Sequence, residues 1–479
     1  MKRMLSVIAA AVLSLNLAAC GGNAAGGSAA AKASTAAVKA AASDSAAGNT
    51  KAAAGTSKAA ASGTEENITL KLSFNGDFKT MAEAVINAAD RLNKKYAAEG
   101  KKTTVKVDAD YQTIDNNDFH NNIVFAHKSG DASDIFICDA DVAGYVKAGC
   151  VLDITDAMTD ALVKDVTKPC TVDGKVYAMP FDLPLRVVYY NTNDLKKIGW
   201  TDDQISALPK DIASGKVTLE DFTALCGEVV KKGGATYGLV HRPNAGNDFY
   251  DLLNALGGDY FDGSGKLVFD EAGIKRMFQY LYDNAQTSKI TPSNLNQMGW
   301  DTINKMVGTG EAFAYFGPMF SATYVAKAAG LDTNTFASQE AFVLFPKSAD
   351  SKAAFCTAAP QFMAISARTK YPDVCKDIFR ELQKDSADLL AHHCATTFSL
   401  SSVKAANDLP EIKNSPILKP VTYMVDYAQS VPAVQNSSAL RGLIFTEISS
   451  LELGQKTPDQ AIGDLKKQAE LNINGIIMK

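Results

Sequence analysis

Ile68–Phe74 (ITLKLSF), Lys79–Tyr96 (KTMAEAVINAADRLNKKY), Thr103–Ala109 (TTVKVDA) and Asp134–Cys138 (DIFIC) decide how this chain folds. In the first segment Ile68, Leu70, Leu72 and Phe74 are apolar at every second position, the period of a half-buried strand. The second carries its apolar residues at helical spacing. Thr103–Ala109 is a second strand, a helical stretch follows near Phe119–His127, and Asp134–Cys138 is a third strand. Strands that alternate with helices build a largely parallel sheet covered by helices. Ligands of such sheets bind beyond the carboxyl ends of the strands. Here those ends are Asn75-Gly76-Asp77, the Asp110-Tyr111 region and Asp139-Ala140-Asp141, all polar and all predicted at one edge.

Upstream, residues 1–20 read MKRMLSVIAAAVLSLNLAAC. Lys2 and Arg3 give a basic start, and the apolar run Leu5 to Leu17 falls short of the ~20 residues that a bilayer crossing needs. Leu17-Ala18-Ala19-Cys20 resembles the lipobox of bacterial lipoproteins, which predicts a cleaved signal peptide over 1–19 and a lipid on Cys20. Residues 21–63 are almost entirely Gly, Ala, Ser, Thr, Asn and Lys, too poor in apolar surface to offset the entropy of ordering. Residues 20–64 are thus expected to form a tether, with an r.m.s. span of roughly 35 Å for about 40 residues.

About 415 residues remain from Glu65 onward, more than one typical core and suited to two lobes. The chain has 48 Lys+Arg against 53 Asp+Glu, a net charge of −5, which becomes −7 once Lys2 and Arg3 are removed. That balance argues against nucleic acid as a partner and against electrostatic docking on a membrane. Besides Cys20 there are Cys138, Cys150, Cys170, Cys226, Cys356, Cys375 and Cys394, an odd number at spacings that match no metal motif. They read mainly as structural thiols, with one or two disulfides left open.

Four segments, in fixed order, carry a family resemblance. They are residues 129–155 (SGDASDIFICDADVAGYVKAGCVLDIT), 172–200 (VDGKVYAMPFDLPLRVVYYNTNDLKKIGW), 308–320 (GTGEAFAYFGPMF) and 454–473 (GQKTPDQAIGDLKKQAELNI). Together they resemble extracellular solute-binding proteins of the carbohydrate (family 1) type. The resemblance implies an α/β, two-lobed periplasmic-binding-protein-like class II fold with an interlobe hinge. It also implies lobe 1 over 65–180, lobe 2 over 181–346, a return to lobe 1 over 347–392 and completion of lobe 2 over 393–479. The first crossing is expected near Tyr177–Leu183, where Pro180 and Pro184 suit an extended hinge. The second is expected in the strand Ala341–Pro346 (AFVLFP).

Site candidates follow from the strand ends and from the resemblance. Asn75, Asp77, Asp139 and Asp141 follow strands one and three, and each reads equally as a cap for the next helix. Asp182 and Arg186 lie in the crossing segment, and Gln361 in a stretch expected to close over ligand. Phe320 aligns with the stacking tryptophan of the family, and Trp300 precedes the helix that leads to it. Arg441 falls where some sugar-binding relatives carry a stacking tryptophan. With Arg186 and Arg242 it raises an anionic sugar as one ligand class, the other reading being surface or salt-bridged arginines.

No catalytic constellation emerges. The histidines show no HExxH spacing, His392-His393 reads as a surface pair, and there is no GxSxG elbow or phosphate loop. The resemblance therefore implies a non-enzymatic receptor without metal or cofactor. It would capture a sugar or oligosaccharide and deliver it to the permease subunits of an ABC importer, as a lipid-anchored monomer on the extracytoplasmic face. The other readings are a sensory binding lipoprotein, a binding protein for a non-sugar solute such as a peptide or polyol, and a glycan-cleaving lipoprotein.

Overall fold

The computed structural model describes residues 66–479 apart from 77–78, 115, 139–141, 263–264, 432–433 and 435. The expected signal peptide, Cys20 and the tether lie outside the described residues, as do Asp77, Asp139 and Asp141.

The chain begins with β1 (Glu66–Asn75), α1 (Lys79–Ala98), β2 (Thr103–Gln112), α2 (Asn116–Ser129) and β3 (Ile135–Cys138). β1 pairs in parallel with β2 and with β3, and α1 is the crossover that a parallel pair requires. Ile68, Leu70, Leu72 and Phe74 are buried from one face of β1. Met81, Val85, Ala88, Leu92 and Tyr96 form the buried stripe of α1. Each large apolar side chain so buried contributes about 1.5–3 kcal/mol.

Next come β4 (Met179–Pro180), β5 (Leu185–Asn191), β6 (Tyr237–Val240), α3 (Asp248–Ala255), α4 (Trp300–Gly308), β7 (Ala312–Pro318), α5 (Ser321–Ala329), β8 (Glu340–Val343), β9 (Cys356–Ala358) and β10 (Phe362–Ile365). The chain ends with α6 (Pro372–Gln383), α7 (Ala387–Thr397), β11 (Ala428–Ser430), α8 (Ser437–Glu452) and α9 (Pro458–Asn472). Two sheets result. The first has the order β2-β1-β3-β10-β4, and the second β11-β9-β5-β7-β6, with β8 also paired to β5. β5 is buried at every residue, with paired strands on both sides. Pro180 sits in the edge strand β4, where a missing N–H breaks no ladder.

The chain first leaves the first sheet after Pro180 and enters the second at Leu185, but the expected second crossing and the later boundary need correction. Ala341–Pro346 does not cross between lobes: Glu340–Val343 pairs antiparallel with β5, and Phe345 bridges Phe355, all in the second lobe. Its continuous apolar run Phe342–Phe345 is buried, as a strand covered on both faces must be. The chain returns to the first sheet only at Ala359-Pro360-Gln361, between β9 and β10. It also stays there past residue 392. In α7, Asp388 accepts two hydrogen bonds of 2.6 Å from Arg91 of α1, Leu400–Ser401 pairs with Asp182–Leu183, and Val403 bridges Leu162. By Met424 the chain is back against the second sheet, its carbonyl accepting from Cys356 Sγ at 3.3 Å.

These strand directions place the cleft. β1, β2 and β3 end at the edge where β4 and β10 meet the hinge, since Phe362 pairs with both Cys138 and Pro180. In the second sheet Pro318 pairs with Arg186 and Ala358 with Leu185, so β7 and β9 end where β5 begins. β6 runs parallel to β7 and β11 parallel to β9, so they end at this same edge. Both carboxyl edges therefore meet at the hinge.

Candidate ligand-binding site

On the second sheet the carboxyl edge carries aromatic and cationic groups. Trp300 opens α4 and lies beside Arg242, just past the end of β6, and Phe320 occupies the N-cap of α5 just after β7. They remain 37% and 40% exposed, unusual for rings of that size flanking a buried strand. The Arg242 guanidinium lies 5.5 Å from the Trp300 ring. It can do so because residue 246 is glycine: a Cβ there would overlap the guanidinium.

Arg186, expected to line the cleft, is instead sealed in the lobe. Its Nε donates to Asp251 at 2.6 Å and its Nη2 to Asp248. Asp248 also accepts from Arg242 at 2.9 Å, and Asp251 accepts from the Thr357 hydroxyl at 2.7 Å. Burial pulls the Arg186 pKa down, but Asp248 and Asp251 outweigh it and the net shift is upward. Its charge is spent on neutralising two buried carboxylates, and the side chain is almost wholly covered. Arg441, by contrast, is half-buried on α8, with its guanidinium 6.0 Å from the Tyr250 ring and one hydrogen bond to Asn247 Oδ1.

The hinge is built by Asp182, whose expected ligand role also needs correction. It is buried, its Oδ1 accepts from the Gln361 N–H at 3.0 Å, and its Oδ2 faces His393 at 3.4 Å and Ser399 at 3.3 Å. The Gln361 carbonyl accepts from Phe181 N–H at 2.8 Å, so the two hinge strands are tied twice. His393 is fully buried rather than at the surface, and its Nδ1 meets the Thr80 hydroxyl of α1 at 2.7 Å. The half-buried Gln361 side chain has no hydrogen-bond partner among the described residues.

On the first sheet, Asn75 is buried and clamps the chain after β2. Its amide donates to Ile114 O and accepts from Ile114 N, both at 3.2 Å. Both polar ends of the amide are therefore committed to backbone. Tyr111, one residue before the end of β2, is 42% exposed, with Lys79 Nζ 5.9 Å from its ring. Sequence reasoning reached the Asp110-Tyr111 strand end without singling out Tyr111; an aromatic at a polar carboxyl edge was the available signal. A cavity of about 500 Å³ lies between β1, β2 and α2, lined by Lys71, Ser73, Asp108, Asp110, Gln112 and Asn122 among others. Through Asp110 and Gln112 it reaches the carboxyl end of β2, the same edge that strand direction marks as the candidate site.

None of the seven cysteines is disulfide-bonded and all are buried, with the Cys170 thiol pushed up to about 12 by burial. These are inert packing thiols.

The profile of the family described as bacterial extracellular solute-binding protein matches residues 88–420. The chain belongs to that family. It is 28% identical over 199 residues to the maltodextrin-binding protein MdxE of Bacillus subtilis (strain 168), a stretch covering 40% of this chain and 45% of that protein. The chain thus spans less than half the length of that relative. Among solved structures, maltose-bound MalE3 of T. maritima superposes with a TM-score of 0.64 at 17% identity, over 84% of this chain and 99% of that one. The sugar-binding protein MalE of Xanthomonas citri gives a TM-score of 0.66 at 14% identity, over 84% of this chain and 96% of that one. The likeness in fold extends over both lobes of this solute-binding protein.

Proposed function

We propose that this solute-binding protein is the carbohydrate receptor of an ABC importer, held to the extracytoplasmic face of the membrane by a lipid on Cys20. The observation that carries the reading is the pair of exposed rings, Trp300 and Phe320, at the carboxyl edge of the second sheet. Pyranose rings stack on flat apolar faces, and planar polar groups such as the Gln361 amide take their hydroxyls. The maltose and maltodextrin in the names of the relatives support the same ligand class.

Lobe 1 would comprise residues 66–180 and 362–413, and lobe 2 residues 185–358 and 424–479. Sugar would contact both and so favour the closed form, which is what docks on the permease. No bond is made or broken in this cycle; the importer supplies the energy. The Asp77, Asp139 and Asp141 carboxylates would face the sugar from the first lobe, and the receptor would act as a monomer.

The test is a thermal-shift and calorimetric screen of the purified protein against neutral and acidic mono- and oligosaccharides. A ligand at 100 times its dissociation constant stabilises the fold by about 2.7 kcal/mol. A saccharide that binds, and binds less tightly to Phe320→Ala, supports the reading. Silence across the saccharides, with a response to peptides or polyols, overturns it.

A further inference from the structure

The carboxyl edge of the second sheet holds an unbalanced charge. Arg186, Arg242 and Arg441 stand there against Asp248 and Asp251. Both carboxylates are already committed: Asp251 to Arg186 and Thr357, Asp248 to Arg186 and Arg242. The surplus positive charge falls on Arg441, which forms no ion pair among the described residues. The charged side chains that act on it, Arg242 and Arg186, are of its own sign, and the rings beside it are Tyr250 and Tyr260.

A half-buried cation among like charges is costly unless something supplies the counter-charge. No carboxylate among the described residues pairs with it, yet the side chain is held in place. Tyr250 stacks flat on Tyr260, with ring centroids 3.8 Å apart and planes 3° from parallel. The Tyr250 hydroxyl donates to Ser437 O, in the first turn of α8, at 2.6 Å. That bond joins the ring to the helix that carries Arg441, one turn further along. The guanidinium lies over this fixed ring with one nitrogen on Asn247. This arrangement leaves further N–H donors of the fork for a planar anion, the geometry in which guanidinium binds carboxylate in two parallel hydrogen bonds.

We propose that Arg441 selects a carboxylate-bearing saccharide, a uronate, and that the ligand is the missing counter-ion of this cluster. The inference rests on the carbohydrate reading above and narrows it. Arg186 is assigned no role in the selection, because its charge is balanced by Asp248 and Asp251. Arg242 contributes through field and through its seat on Trp300 rather than by contact.

The test is isothermal titration of the purified protein with glucuronic and galacturonic acids and their disaccharides, against glucose, galactose and maltose, at 50 and 500 mM NaCl. The expected result is an acid preference of about 10- to 100-fold, the range of a charge-assisted hydrogen bond. That preference should shrink at high salt. In Arg441→Gln the acid-to-neutral ratio should fall toward one, and Arg441→Lys should restore part of it. Because Arg441 breaks no ion pair when replaced, the unliganded melting point checks that both variants are folded. Neutral sugars binding as tightly as the acids, or a ratio unmoved by Arg441→Gln, overturns the inference and leaves the carbohydrate reading standing. If no saccharide of either kind binds, the carbohydrate reading falls and this inference with it.

Discussion

Replacing Arg186 by methionine separates a structural from a ligand-binding role for the arginine in the crossing segment. Methionine retains most of the length of the stem and removes only the charge. Asp248 would keep Arg242 at 2.9 Å, whereas Asp251 would be left with the Thr357 hydroxyl alone. Breaking a buried ion pair on one side costs about 3–5 kcal/mol, because the remaining charge has neither water nor partner. Unfolding entropy of about 2 cal/mol/K per residue, over roughly 400 residues, is about 0.8 kcal/mol/K, so a loss of ~4 kcal/mol lowers the midpoint by about 5 °C. The penalty should shrink on acidification. Burial already raises the Asp251 pKa, with Arg186 opposing it. Without that arginine the folded state binds a proton more readily than the unfolded chain, so stability of the variant rises as pH falls. Differential scanning calorimetry from pH 5 to 8 reads both effects, and Arg186→Met/Asp251→Asn should recover part of the loss. A variant that melts like the parent but no longer binds ligand would refute the buried-pair account and return Arg186 to the cleft.

Three further outcomes are expected. Burial lowers the His241 pKa, but Glu452, 2.5 Å from Nε2, outweighs it and the net shift is upward. Its stabilisation is therefore complete below about pH 6.5 and is lost as pH rises through the raised value. His241→Gln should remove that decline from a pH series of melting points; an unchanged slope would mean that another group causes it. Trp300→Ala and Phe320→Ala should each weaken saccharide binding about 2- to 10-fold, from ~0.5–1.5 kcal/mol of ring contact. Unaltered titrations for both would remove the rings from the site. Asp182→Ala strands the Gln361 N–H and His393 in a buried hinge, for a loss of about 1–3 kcal/mol in denaturant unfolding. No loss would show that the hinge strands hold without it.

How much was legible in the sequence depended on the range of the interaction. β1 emerges from the alternation of Ile68, Leu70, Leu72 and Phe74, and α1 from the stripe Met81 to Tyr96, because backbone geometry sets both periods within a few residues. The four ordered segments carried the family in the same local way. Ala341–Pro346 was misread because a continuous apolar run does not say which sheet buries it; pairing with β5, some 150 residues earlier in the chain, decides that. Arg186 looked like a cleft residue because its type and position were visible and its counter-ions were not. Asp248 and Asp251 lie 62 and 65 residues away. Asp182 was hidden likewise, its partners Gln361 and His393 lying 179 and 211 residues on. By itself, then, the sequence determined the first strands and helices, the family and the sheet edge proposed for the ligand. Only the tertiary structure decided which polar side chains at that edge are spent on one another. Periodicity is a property of neighbouring residues, whereas charge neutralisation belongs to whatever the fold brings within about 3 Å. By that criterion Arg441 is left without a counter-ion.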